Sequence, residues 1–209
     1  MPDVSWTYTH IDYTKKELEN VAFFKMIPSV PLELEGTVPA DYGTIYKGGC
    51  PMCQLGAVPD GDILVAGKFF KNKQICFIPP DIVVSGAVRD HLLQSDLTGF
   101  HFGNRVRDYK NRPMGEFVRW EIDSILPPMS KTVWLHPYEF RHYACEHNII
   151  YQRSEPQYEK EKIENAKDIN LSCEYLDNFR MQNLIVSRKA KNFFKSIGVR
   201  AKYEPVTLL

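Results

Sequence analysis

The chain states one local pattern twice, about a hundred residues apart, and this duplication limits its folds more than any other feature. Ile82-Val83-Val84-Ser85 leads into Ala87-Val88-Arg89-Asp90-His91-Leu92-Leu93 and then, after Gly99, into Phe100-His101-Phe102. Leu184-Ile185-Val186-Ser187 leads into Lys189-Ala190-Lys191-Asn192-Phe193-Phe194-Lys195 and then, after Gly198, into Val199-Arg200-Ala201-Lys202-Tyr203. Each copy reads as a short apolar strand, a serine, a helix of two or three turns and a second strand. A serine at that junction can accept hydrogen bonds from first-turn amides. Val88 and Leu92, like Ala190 and Phe194, lie four apart on one helix face. Burying each Leu or Phe stabilises the fold by roughly 1.5–3 kcal/mol, and helices this short need a sheet to hold them.

The expected fold is therefore α+β or α/β, with two related halves, 1–106 and 107–209, each packing a short helix on mixed strands. Further strand signals are Trp6-Thr7-Tyr8-Thr9, Ile63-Leu64-Val65-Ala66 and the alternating Phe117-Val118-Arg119-Trp120-Glu121-Ile122-Asp123. A helix is predicted around Thr14–Val21, and Pro28, Pro31 and Pro39 mark residues 27–42 as an extended loop. The charged stretch Arg153 to Lys167 is expected to be a solvated loop or exposed helix and the boundary between the halves.

Lys plus Arg equals Asp plus Glu at 26 each, so no excess of positive charge is available for nucleic-acid phosphates. The N-terminal residues show no signal-peptide pattern and no stretch approaches a membrane span, so a cytoplasmic protein with no membrane contact is expected. Five cysteines, an odd number, argue for reduced thiols or metal ligands over a disulfide framework.

Cys50-Pro51-Met52-Cys53 follows the glycine pair Gly48-Gly49, a turn on which two thiolates can meet a tetrahedral metal. Cys173 stands where a second pair would fall, but the partner position is Leu176. Cys50, Cys53 and Cys173 with Asp177 or a distant histidine would make a zinc set; reduced cysteines beside a tight turn are the alternative. His142, Glu146 and His147 offer ligands at mixed spacings: His142 and Glu146 would share a helix face, but His142 and His147 would not, and exposed histidines on a strand end or loop are the alternative. No phosphate loop, nucleophile elbow or catalytic constellation is evident.

The two-spaced cysteine knuckle, the strand and Ile-Val-Val-Ser helix unit, the lone Cys173 and the second copy near the C-terminus resemble the double-CXXCG motif family of bacterial immunity proteins. The resemblance covers roughly residues 45 to 106 and 170 to 209. The family has glycine after each second cysteine; here Gln54 follows Cys53, and the second motif keeps only Cys173. The resemblance implies a non-enzymatic, cytoplasmic immunity protein that binds a cognate antibacterial toxin and occludes its active site. Trp134, Tyr138, Phe140, Arg141 and His142 are the candidate partner anchors, of the residue types that dominate tight interfaces; core packing is the alternative for that stretch. A metal- or thiol-dependent enzyme and a zinc-ribbon adaptor are the competing functions.

Overall fold

A computed structural model describes residues 13–28, 44–50, 56–65, 74–78, 81–108, 110, 112–131, 133, 135–137, 149–152, 154–176 and 181–209. Its helices begin where side chains can cap them. Thr14 opens α1 (Lys15–Glu19): its hydroxyl accepts from the Glu17 N–H, and the Glu17 carboxylate accepts from the Thr14 N–H. Ser85 opens α2 (Gly86–Leu93), its Oγ accepting from the Val88 N–H at 3.5 Å. Ser187 opens α3 (Arg188–Ser196), its Oγ accepting from the Ala190 N–H at 3.1 Å. The two serines share an extended backbone, with φ −68° and −64° and ψ 157° and 162°.

The similarity extends to the sheets. In the first unit β5 (Ile75–Ile78), β6 (Asp81–Val84), β7 (Phe100–Asp108) and β8 (Pro113–Ile122) lie in the spatial order β7-β8-β6-β5. β6 and β7, joined through α2, run parallel with one place between them, and β8 fills it antiparallel to both. This is a split βαβ unit. The second unit contains β12 (Ile169–Leu176), β13 (Met181–Ser187) and β14 (Ala201–Pro205), and its place between β13 and β14 is filled by β1 (Phe23–Pro28). The order β14-β1-β13-β12 thus repeats the first, but its inner strand comes from the opposite end of the chain. β4 (Ile63–Val65) extends the first sheet beyond β7, and β10 (Ile149–Gln152) with β9 (Leu135–Pro137) extends the second beyond β12.

Aligning Ser85 with Ser187 carries the pairing register across. Val84 opposite Val118 corresponds to Val186 opposite Phe24, and Val83 opposite Arg119 to Ile185 opposite Lys25. Ile75 opposite Val84 corresponds to Ile169 opposite Val186, and Phe102 opposite Trp120 to Tyr203 opposite Met26. Even the serine amides agree: Ser85 N–H donates to the Gln74 carbonyl at 2.9 Å and Ser187 N–H to that of Asp168 at 2.8 Å. The glycines that follow the helices do not correspond. Gly198 (φ +74°) lies two residues past α3 in open space, whereas Gly99 (φ +99°) sits against the second unit, where a Cβ would lie 2.2 Å from the Ile169 carbonyl oxygen.

The helix-bearing faces of both sheets share one core. Val88 and Leu92 of α2, Ala190 and Phe194 of α3, Trp120 of β8 and Phe24 of β1 are all buried within it. The Trp120 and Phe194 rings meet edge to face at 5.7 Å across the two units. Two smaller clusters lie on the opposite faces, one around Val83 and Val106 and the other around Ile185, Tyr158 and Val206. The charged stretch after Arg153 belongs to the second of these. There β11 (Gln157–Tyr158) pairs with β15 (Thr207–Leu208), and a 3-10 turn spans Lys160–Ile163. Lys160, Glu161 and Lys162 are exposed on this turn, in keeping with the exposed helix expected there, while Tyr158 and Ile163 are buried and anchor the segment to the second unit. Among the described residues no helix is long and apolar enough to cross a membrane.

Candidate functional site

Cys50 and Cys173 come from separate parts of the fold. Cys50 follows β2 (Tyr46–Lys47), which pairs with β3 (Val58–Pro59). Gly49 lies close against Ala57, since a Cβ there would lie 2.5 Å from the Ala57 nitrogen. Cys173 is exposed on β12, within a register shift between Leu171 and Tyr175. Partial desolvation and the Glu174 carboxylate push its thiol pKa up. Cys53 and Asp177 lie outside the described residues, and among the described residues no group of three His, Cys, Asp or Glu side chains could hold a metal. The proposed anchors Trp134, Tyr138, Phe140, Arg141 and His142 also lie outside the described residues.

A chain of polar side chains crosses the outer face of the first sheet. Tyr46 donates to Asp81 Oδ2 at 2.9 Å and Arg119 Nε to Asp81 Oδ1 at 2.6 Å. Arg119 also pairs with Glu121 at 3.0 Å, and His101 lies between Glu121 at 3.2 Å and Asp123 at 2.6 Å. Burial pushes the Asp81 carboxyl up, while Arg119 and Tyr46 act against that shift. Gly103 leaves room for the arrangement, because a Cβ there would lie 1.7 Å from Glu121 Oε1. The second unit has a counterpart: Lys25, at the position of Arg119, pairs with Glu204 at 3.6 Å. A cation on the inner strand is thus common to both units and belongs to their framework.

The helices are dressed differently. Between Arg188 and Tyr203 the sequence has six basic residues and no acidic one, a run hidden by the zero net charge of the whole chain. Arg188 donates to the backbone carbonyls of Glu19 and Val21, tying the end of α1 to the start of α3. Lys189 pairs with Asp96 at 2.9 Å. Lys191 and Lys195, four apart, instead converge on rings: Lys191 Nζ is 3.3 Å from the Phe24 centroid, and the two ammonium groups are 5.8 and 5.9 Å from the Tyr203 centroid. Burial, then Lys195 and Arg188, bring Lys191 down to about 8. The Phe24 ring face opposes that shift by attracting the cation. Among the described residues neither lysine has a carboxylate within ion-pair distance.

On α2 the same positions are quiet. Arg89, aligned with Lys191, pairs with Asp90 at 2.8 Å; Leu93 stands for Lys195 and Gly86 for Arg188. The split unit therefore folds without this cationic row. The row was legible in the sequence as basic residues three, four and seven apart on a helix, and what the sequence did not reveal was the aromatic floor that β1 supplies. Compared with known protein families and with curated proteins, the chain matches none.

Proposed function

We propose that this chain is an immunity-type binding protein that neutralises a protein toxin stoichiometrically by covering its active site. The supporting observation is the unequal dressing of two equivalent helices on one shared core. α2 matches its cation locally, whereas α3 holds Lys191 and Lys195 side by side, with Lys191 half-buried, at an electrostatic cost that the fold itself does not require. Charge kept in this way on a rigid scaffold suits recognition of an external protein surface.

Co-expression with the product of the adjacent gene tests the reading. The expected result is rescue of growth together with a complex that co-purifies through gel filtration. Absence of rescue contradicts neutralisation, and rescue without stable association indicates an enzymatic antidote.

A further inference from the structure

Resting on the binding reading, we infer that the α3 face carrying Lys191 and Lys195 over Phe24 and Tyr203 is the docking site for an acidic segment of the partner polypeptide. Three observations lead to that occupant. The lysines stand four apart, so their ammonium groups are neighbours on the helix surface and can engage adjacent carboxylates. Lys191 is held on the Phe24 ring, which limits the rotamer freedom it would otherwise lose on binding, and the Tyr203 ring centroid lies 5.8 and 5.9 Å from the two ammonium groups. The aligned face of α2 shows the alternative: an intrahelical Arg89–Asp90 pair and an exposed leucine, with no charge left for a partner.

An incoming carboxylate offsets the repulsion that Lys195 and Arg188 exert on Lys191, so binding and protonation of Lys191 are linked. Lys189 and Lys202 contribute less because Asp96 and Glu204 already engage them. The occupant is thus anionic, arrives as neighbouring carboxylates on one segment, and is bound more weakly as salt rises.

The first comparison uses a variant that copies α2, Asn192→Asp with Lys195→Leu, which places an acid beside Lys191 and removes its cationic neighbour without departing from a pattern the unit already folds with. The probe is a synthetic hexaglutamate peptide titrated into the full-length protein at low salt, followed by NMR of isotope-labelled lysine side chains. The account expects saturable shifts at Lys191 and Lys195, an upward move of the Lys191 titration midpoint, and at least tenfold weaker binding by the variant. Unmoved lysine signals, equal binding by a folded variant, or an equal response to inorganic phosphate would each overturn the assignment. If the variant rescues growth as well as the parent, this docking site is wrong while neutralisation stands. If the parent fails to rescue, neutralisation falls and the peptide titration alone decides the docking site.

Discussion

Ser85 and Ser187 occupy the same position in their units but carry different loads. Among the described residues Ser85 Oγ makes only a long cap bond to the Val88 N–H at 3.5 Å, whereas Ser187 Oγ caps Ala190 at 3.1 Å and donates to Asp168 Oδ1 at 2.8 Å. Asp168 in turn accepts from both the backbone and the hydroxyl of Thr98 in the first unit. Ser85→Ala should cost about 0.5–1 kcal/mol and Ser187→Ala about 1–2 kcal/mol, read as unequal shifts in urea midpoints; equal shifts would contradict the extra role of Ser187. Lys191 gives a second prediction at this scale. Its folded value, about 8, lies below the ordinary 10.5, so between those values the unfolded chain binds the proton more readily. Stability should rise as pH climbs through that window, with the cost of the charged form borne in full below it. Denaturant titrations at pH 7.5 and pH 10 check this, and Lys191→Gln should flatten the rise. The caps and apolar helix positions were legible because they depend on residues within one turn of each other. The cation–ring contacts were not, because Phe24 comes from a strand far away in sequence.

At the scale of elements, two glycines that look equivalent in sequence separate a turn from a junction. Gly99→Ala places a methyl group against the Ile169 carbonyl and the Lys167 side chain at positive φ, whereas Gly198→Ala meets only the backbone penalty. The expected losses are about 3 kcal/mol or more for Gly99 and about 1–2 kcal/mol for Gly198; thermal unfolding of both variants measures the difference, and a harmless Gly99→Ala would contradict the close approach of the units. The alternation at Phe117–Asp123 correctly announced β8, since its buried face is written in every second residue. Which strand would stand between β13 and β14 was not legible. A strand-helix-strand repeat determines its own crossover but leaves the intervening place to any antiparallel partner, and here β8 and β1 fill it from opposite directions in the chain. The buried anchors of the charged segment were not legible for a related reason: Tyr158 and Ile163 are too widely spaced among charges to show a periodic face, and they pack in a cluster with Leu208 of β15.

For the whole molecule, the exchange of β1 joins the chain's beginning to its end and fuses the units through one core. Phe24, 1% exposed, packs on the second sheet, yet its cluster includes Trp120 and Leu92 of the first unit. Phe24→Ala should therefore cost about 3–5 kcal/mol, and the Trp120 indole N–H resonance and far-UV circular dichroism should be lost in one transition. A Trp120 signal that outlasts the rest would show that the units unfold independently. On the proposed reading, α3 meets a partner already packed on this shared core, which would keep the ordering cost of association low. Neutralisation by occupancy, the central claim, is tested most directly by titrating the purified protein into a fixed quantity of the adjacent gene's product and following the residual toxicity of that product. The account predicts a linear loss of activity that ends at one equivalent; complete loss at a small fraction of an equivalent would contradict it.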